Sequence, residues 1–441
     1  MCARERKKKM KSVRRWSLLL GACAFLCVAS QAHAAQQTQE LAYHLSPEKL
    51  QAAKQLASAR LLLTVAGTLW SLLVLWQILA RGWAARLSLW CSAQIKRKWL
   101  QGLVYFALVL LLLTVLDWPL AAMGHGVSLH YGISVQGWSG WLWDEVKTLL
   151  LSVAVAAPAM LLLHWVVRKS PRRYWLWGWL VTLPMLLLGT FVVPLLVPLF
   201  YAQEPLAAHH AELVRKLETV VDRTGLQIPP ERMYLMKASA KSNGVNAFVA
   251  GLGATKRYVM WDTTTDRLPD DEILFIFGHE SGHYALHHVA EEVALSALGM
   301  LVLFRLYALS AAWLVRRRMQ AWQLRDEGAE GLATRQGMLV LLLLASLFGV
   351  LFEPAENTMS RYFEHEADVY GQEAIHGLVA DPQKTTVSAF NHLGESWLED
   401  PTPAPVVEFW LDNHPSVQHR ADFAAHYDPW SAGGQGRFFA R

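Results

Sequence analysis

Long apolar stretches alternate with short polar connections along most of the chain. Six of these stretches have the length and composition of a membrane helix, because about twenty apolar residues are needed to cross the hydrocarbon core. They lie near residues 61–80, 103–121, 148–167, 174–197, 293–315 and 338–352. The pattern predicts a mainly α-helical, polytopic membrane bundle.

The first 34 residues have a pattern of their own. A basic run leads into an apolar stretch from Trp16 to Ala29, which is followed by Ala32-His33-Ala34. Small residues at that spacing are typical of a signal-peptide cleavage site. Residues 1–34 are therefore interpreted as a signal peptide, with an uncleaved first membrane helix as the alternative.

Two polar tracts, residues 201–292 and 353–441, interrupt the apolar pattern and hold most of the reactive side chains. They suggest a membrane domain over residues 35–200. A second domain then covers residues 201–441 and includes a membrane hairpin at 293–352.

The first polar tract contains short β-rich segments and then a helix. The segments are Met233–Met236, Ala247–Leu252 and Tyr258–Thr263, and the last two are expected to form a hairpin. Pro269 suits a first helical turn and is followed by three acidic residues, whose charges favour a helix N-terminus. A helix is therefore predicted from this point through His283.

Composition supports the membrane assignment and argues against several other kinds of protein and site. Only 17% of the 441 residues are charged, against about 25% in soluble domains. The net charge of +5 comes from the basic leader, so the rest of the chain has no basic surface for a nucleic acid. No cysteine follows Cys91, which excludes a disulfide framework or a thiolate metal cluster downstream.

The connections between the apolar stretches differ sharply in charge. Fourteen lysines and arginines lie in the connections 81–99, 168–173 and 316–336, against four in the connections on the other side. By the positive-inside rule the basic connections face the cytoplasm, which puts residues 199–291 and 353–441 outside. Together with the leader, this predicts a multi-pass protein of a bacterial inner membrane whose polar tracts face the periplasm.

The predicted helix carries the motif His279-Glu280-Ser281-Gly282-His283. Spacing of four places both imidazoles on one face, one turn apart, where they can bind one Zn²⁺. Glu280 then projects beside them, towards a metal-bound water. Two surface histidines are the alternative, but apolar residues flank the motif on both sides and favour a buried helix.

A catalytic zinc site needs one more protein ligand. A metzincin would supply a histidine where this chain has Val289, so that subclass is excluded. A carboxylate on a later helix is the alternative, and Glu364 and Asp368 stand one turn apart there as a ligand and an acid that could orient a histidine. His287 and His288 are interpreted as surface or helix-cap residues and not as ligands.

Four motifs in order carry a family resemblance. They are His279-Glu280-Ser281-Gly282-His283, Ser360–Asp368 with Glu364, Ser242–Phe248 with Asn246-Ala247, and His414-Pro415 with Arg420. Over roughly Leu61 to Ala421 the chain resembles the Ste24 type of M48 zinc peptidases, the CAAX prenyl protease 1 group. The resemblance implies a zincin-like catalytic domain with a small β-hairpin or sheet, and about seven helices around a large intramembrane chamber, with the leader as the first.

The resemblance also implies the roles of the metal-site residues. One Zn²⁺ would be held by His279, His283 and Glu364. Glu280 would be the general base, and Asp368 would support a ligand from behind.

Further roles follow from the same resemblance. His414 and Arg420 would stabilise the transition state. Asn246 would sit on an edge strand that pairs with extended substrate, and that strand continues through Ala247 and Phe248.

The sequence thus predicts a membrane-integral zinc metalloendopeptidase. Its expected partners are a peptide or membrane-protein substrate and the lipid bilayer. Two alternatives stay open: a membrane-protein quality-control protease like the HtpX branch, and a transporter or assembly factor whose motif is vestigial. Bacteria lack the prenylated CAAX substrates of the eukaryotic relatives, so the sequence leaves the physiological substrate undefined.

Overall fold

The computed structural model describes residues 42–439, apart from 227, 252–255, 327 and 432. The leader predicted over residues 1–34 lies outside the described residues.

The described part of the N-terminal half, from residue 42 onward, is built from five helices. They are α1 (Pro47–Ala80), α2 (Trp83–Gln94), α3 (Lys98–His130), α4 (Trp138–Lys169) and α5 (Tyr174–Leu196). The side chain of Ser46 caps α1 by accepting a hydrogen bond from the Lys49 amide at 3.4 Å. Each helix except α2 contains one of the predicted apolar stretches.

The C-terminal half alternates long and short elements. Its helices are α6 (Ala207–Thr224), α7 (Asp262–Arg267), α8 (Asp270–Ala285), α9 (His288–Arg318), α10 (Arg335–Ala374), α11 (Pro382–Trp397), α12 (Pro405–Leu411) and α13 (Val417–His426). The helix predicted to run through His283 is α8, and the predicted membrane hairpin is formed by α9 and the first part of α10.

Among the described residues, five helices are long and apolar enough to cross a membrane: α1, α3, α4, α9 and α10. The apolar part of α5 that the structure describes, Tyr174–Gly189, is shorter. Large apolar side chains such as Leu62 and Leu298 are exposed along these helices, as expected where lipid replaces water. The chain is a multi-pass, mainly helical membrane protein, and the seventh helix of the expected count would fall in the leader.

Two of the basic connections meet at one end of the bundle. The guanidinium of Arg335, at the start of α10, donates to the Ser88 carbonyl oxygen at 3.1 Å and to the Gln101 side-chain oxygen at 3.0 Å. These contacts join the connection 81–99 to the connection 316–336, which also contains a two-stranded hairpin of β5 (Arg325–Asp326) and β6 (Ala329–Glu330).

A four-stranded sheet lies in the C-terminal half of the chain, within the described residues. Its strands are β1 (Gln203–Pro205), β2 (Met233–Met236), β3 (Ala247–Ala250) and β4 (Arg257–Trp261). The strand order is β1-β2-β4-β3, with β2 parallel to β4 and β3 antiparallel to β4. The predicted hairpin is therefore confirmed, although β3 is described only to Ala250, and β3 forms an edge of the described sheet.

Helix α8 packs between this sheet and α10. The Phe277 ring meets the Tyr258 ring of β4 edge to face, with centroids 4.8 Å apart. On the opposite side, Gly278 and Gly371 let the backbones of α8 and α10 approach closely, since a Cβ built on Gly371 would lie 2.8 Å from the His279 amide nitrogen. This close crossing brings the histidines of α8 beside the carboxylates of α10.

Candidate metal centre

The two motif histidines of α8 face each other across one helical turn. Their Nε2 atoms are 3.2 Å apart. His279 is buried and His283 is half-buried, because the helix is surrounded by the sheet, α10 and α11. Burial together with the neighbouring His279 lowers the pKa of His283 to about 3, so this imidazole is neutral and can offer a lone pair.

Helix α10 supplies a third candidate metal ligand next to the two histidines. One carboxylate oxygen of Glu364 is 3.3 Å from the Nε2 atom of His279, and the other is 3.5 Å from the Nε2 atom of His283. The Oε2 atom of Glu364 is buried and accepts no hydrogen bond from the described residues. The neutral His283 nitrogen, the Nε2 atom of His279 and a buried carboxylate are therefore held together at one point.

These three side chains fit a divalent metal ion. Bonds of about 2.0 Å in a tetrahedral zinc site place neighbouring ligand atoms roughly 3.3 Å apart. The nitrogen–nitrogen separation of 3.2 Å is close to that spacing, and so are the separations of 3.3 and 3.5 Å between the two nitrogens and the two oxygens of Glu364. His279, His283 and Glu364 also form a group whose ligand atoms all lie within 4.8 Å of one another.

Glu280 lies beside this group and lines the same cavity. Its Oε2 atom accepts a hydrogen bond from the Val249 amide of β3 at 3.4 Å. Burial raises the pKa of Glu280 to about 7, and the negative charge of Glu364 adds to the rise. A carboxyl group with that pKa can accept a proton near neutral pH and release it again.

Asp368 supports His279 from the side away from the cavity. Its Oδ1 atom is 2.9 Å from the Nδ1 atom of His279. Arg420 of α13 forms a bidentate salt bridge with the same carboxylate, with hydrogen bonds of 2.9 and 2.6 Å. The Asp368 carboxylate is almost wholly buried, so this pair of charges is well shielded from water.

His414 approaches the group from the loop between α12 and α13. Its Nε2 atom is 3.3 Å from an oxygen of Glu364, while half of the side chain is exposed. Arg420 is also close to that oxygen, at 3.5 Å. The structure thus brings all four expected catalytic side chains around the three expected ligands.

The edge strand β3 also borders the candidate metal centre. Asn246 and Ala247 line the cavity that contains the histidines, whereas the Phe248 side chain packs against Met236 and Val259 on the other face of the sheet. Of the three expected substrate-binding residues, the structure therefore brings two side chains to the cavity.

That cavity has a volume of about 550 Å³ and is bounded by both halves of the chain. Arg60, Leu61 and Thr64 of α1 line it from the membrane domain. Apolar side chains such as Phe275 and Phe390 cover part of its wall. A chain segment with some apolar side chains could therefore reach the centre from this space.

Sequence reasoning missed one neighbour of His283, the buried His288, and the Glu366 carboxylate beside it. His288 is 3% exposed, so its interpretation as a surface or cap residue was wrong, whereas His287 is exposed and does cap α9. The Nδ1 atom of His288 lies 3.2 Å from the Nδ1 atom of His283, and its Nε2 atom lies 3.4 Å from Glu366. Helical spacing could not reveal this, because the chain turns at His287, with φ of 63°, between α8 and α9.

Comparison with known proteins gives matches over nearly the whole chain. The model of peptidase family M48 matches residues 207–428. The model described as "CAAX prenyl protease N-terminal, five membrane helices" matches residues 29–202.

Individual relatives agree with these family matches. An uncharacterized metalloprotease of Bacillus subtilis (strain 168), YhfN, is 31% identical over 86% of this chain and 86% of its own length. CAAX prenyl protease 1 of Saccharomyces cerevisiae is 30% identical over 47% of this chain and 46% of the yeast protein. The crystal structure of S. mikatae Ste24p shares the fold, with a TM-score of 0.71 at 20% identity over 86% of this chain and 89% of that chain.

Proposed function

The chain belongs to peptidase family M48, and from that premise we propose that it is a Ste24-like zinc endopeptidase with its catalytic site beside the membrane. One Zn²⁺ is bound by His279, His283 and Glu364. The observation that carries this proposal is the close approach of the two Nε2 atoms to each other and to the Glu364 carboxylate, at 3.2 to 3.5 Å, in a buried setting.

The ion, when bound, supplies Lewis acidity: it makes a water molecule more acidic and polarises the scissile carbonyl. Glu280 acts as the general base, takes a proton from the attacking water and returns it to the leaving amine. The pKa of about 7 that burial gives Glu280 suits both transfers.

His414 and Arg420 stabilise the negative charge that develops on the carbonyl oxygen. Both offer N–H groups within 3.5 Å of Glu364, on the rim of the same cavity. Removing one such donor costs about 3 kcal/mol of transition-state stabilisation in other hydrolases. Asp368 keeps His279 oriented and fixes Arg420.

The substrate binds as an added strand along β3. The backbone carbonyl of Asn246 accepts a hydrogen bond from the Trp261 amide of β4. Because backbone groups alternate in direction along an edge strand, those of Ala247 and Val249 point away from the sheet. Glu280 and Tyr284 contact the backbone of Val249, and Tyr284 donates to its carbonyl at 3.2 Å. The backbone of Ala247 then pairs with the extended peptide, and the exposed Asn246 side chain contacts it from the strand end.

The active site faces the periplasm of a bacterial inner membrane. The fourteen basic residues of connections 81–99, 168–173 and 316–336 support this orientation, because such residues are retained in the cytoplasm. The substrate is accordingly a peptide or a membrane-protein segment that reaches the cavity from the bilayer or the periplasm.

Replacing Glu280 by glutamine tests the mechanism. The Glu280→Gln enzyme should lose a factor of about 10² to 10⁴ in the rate of peptide cleavage, because the amide cannot take up a proton. It should still contain one zinc per chain by mass spectrometry of the metal, since Glu280 is not a ligand. The matched control is Glu212→Gln on the exposed face of α6, which should cleave like the unmodified enzyme. Full activity of Glu280→Gln, or an unmodified protein that binds no zinc, would overturn the proposal.

A further inference from the structure

His283 has a second ring nitrogen that faces away from the proposed metal position. This Nδ1 atom lies 3.2 Å from the Nδ1 atom of His288. The other proposed imidazole ligand, His279, has the Asp368 carboxylate at the corresponding position. The two ligands therefore have different groups behind them, and only one of those groups is a carboxylate.

His288 lies between His283 and a second carboxylate, that of Glu366. Its Nε2 atom lies 3.4 Å from the Oε2 atom of Glu366 on α10. That distance is slightly longer than a formed hydrogen bond, and no other described residue hydrogen-bonds this nitrogen. The ring is buried and stacks on Phe363, with centroids 4.6 Å apart, which holds it between His283 and Glu366.

Glu366 is held in turn from its other oxygen. Tyr362 donates a hydrogen bond to Oε1 at 3.1 Å, and the Arg437 guanidinium pairs with the same atom. Arg437 belongs to the last described stretch of the chain, where the amide of Phe438 donates to Glu373 of α10 at 2.7 Å. The Oε2 atom of Glu366 is thus left facing His288.

One arrangement of protons satisfies every contact in this series. If His283 uses Nε2 as a ligand, its Nδ1 carries the proton and donates a hydrogen bond to Nδ1 of His288. His288 must then carry its own proton on Nε2, where the carboxylate of Glu366 is the acceptor. A hydrogen-bonded partner of this kind fixes the tautomer and the ring orientation of a metal-bound histidine.

We propose that His288 is a positioning residue for the metal ligand His283, and that Glu366 and Arg437 hold His288 in that role. The inference rests on the proposed zinc site. Behind each imidazole ligand there is then an acidic side chain paired with an arginine. Asp368 with Arg420 contacts His279 directly, whereas Glu366 with Arg437 acts on His283 through His288. The inference also connects the C-terminal stretch of the chain to the metal centre.

Zinc affinity of the purified full-length protein tests the proposal. Metal is removed with a chelator, and the Kd for zinc is measured by competition with a chromophoric chelator. His288→Leu keeps an apolar group against Phe363 but removes the acceptor, so the Kd should rise by about 10- to 100-fold. In His288→Asn the amide oxygen takes the place of Nδ1 as acceptor, and most of the affinity should return. Glu366→Gln should weaken binding by less than His288→Leu.

The matched control is His287→Asn, since this neighbouring histidine is exposed and asparagine tolerates its left-handed backbone. It should bind zinc like the unmodified protein. The visible spectrum of the cobalt-substituted protein provides a readout of ligand geometry and should shift in His288→Leu only.

The outcomes separate this inference from the proposed function. An unmodified protein that takes up no zinc would overturn the zinc site and the inference together. Stoichiometric zinc with unchanged affinity and spectrum in His288→Leu would overturn the inference alone. If His288→Leu does not fold, equal zinc affinities of His288→Asn, Glu366→Gln and the control would overturn it as well.

Discussion

Glu280 is an acidic side chain in a place that disfavours its charge. It is enclosed by α8, β3 and the cavity wall, and the Glu364 carboxylate lies nearby, so burial and then like-charge repulsion raise its pKa from 4.5 to about 7. The Val249 amide opposes this by donating to Oε2. The balance leaves a base that is neutral in mild acid and charged in mild alkali.

Activity should therefore fall in acid. The protonated form of Glu280 cannot accept a proton, so kcat/KM should drop tenfold per pH unit below the pKa of this group. A bound divalent cation favours the carboxylate and lowers that pKa, which places the acid limb between 4.5 and about 7. In the metal-free protein, the raised pKa of Glu280 means that its own contribution to the free energy of unfolding decreases as the pH rises through the same interval. The lowered pKa of His283 contributes with the opposite sign between about 3 and 6.5.

The pH profile of peptide cleavage checks this expectation. Zinc content is measured at each pH, because protonation of His279 or His283 would release the ion and cause a similar loss of activity at low pH. An acid limb above pH 8 with zinc fully bound would contradict the assignment of Glu280 as the base.

At the scale of residues, the sequence could supply the groups that share a helical face. His279 and His283 are four positions apart on one helix, and so are Glu364 and Asp368, so local geometry alone predicts each pair. That the two pairs meet was predicted because a zinc site needs one more protein ligand and the membrane hairpin returns the chain to the same side, and the family resemblance implied it as well. His288 and Glu366 could not be found in this way, because His288 follows a turn in the chain and its partner lies on another helix.

Individual elements were predicted best where the signal is local. Pro269 and the acidic residues after it set the start of α8, which runs from Asp270 to Ala285. The parallel pairing of β2 with β4 and the short strand β1 were not predicted, because long-range pairing leaves no periodic trace in the sequence. The continuity of α10 was not predicted: the apolar stretch that ends near residue 352 and the helix expected to carry Glu364 are one helix, which continues through Pro354 to Ala374.

The crossing of α8 and α10 should depend on Gly371. In Gly371→Ala the new Cβ would lie 2.8 Å from the amide nitrogen and 3.0 Å from the Cα atom of His279, which are backbone atoms that cannot rotate away. The two helices must then separate, and the Glu364 carboxylate moves away from the histidines. We expect a loss of about 1 to 3 kcal/mol in the free energy of unfolding and weaker zinc binding.

Gly349→Ala on the same helix is the matched control. No atom lies within 4 Å of its added Cβ, so it should leave zinc affinity unchanged and affect stability only through helix propensity. Thermal unfolding and zinc titration measure both variants. Normal zinc affinity in Gly371→Ala would show that the close crossing does not position the ligands.

At the scale of the whole molecule, hydrophobic length was sufficient to predict the multi-pass helical architecture. The six apolar stretches fall within helices, and Arg335 ties two of the basic connections together at one end. At the other end, Lys241 pairs with Asp144 of α4 at 2.5 Å, and residues 133–135 bond with residues 241–243. The basic connections and the catalytic tract thus lie at opposite ends of the bundle, which allows their orientation to be tested with one pair of labels.

Single cysteines at the two ends should label from opposite sides of the membrane. In a background without the four native cysteines, Ala211→Cys on α6 and Ala321→Cys between α9 and β5 each place an exposed thiol at one end. A membrane-impermeant maleimide added to spheroplasts should modify Ala211→Cys at once and Ala321→Cys only after lysis, because the basic connections are retained in the cytoplasm. Detergent-solubilised samples of both variants give the full extent of labelling for comparison. The reverse pattern would put the catalytic site in the cytosol and limit its substrates to segments exposed there.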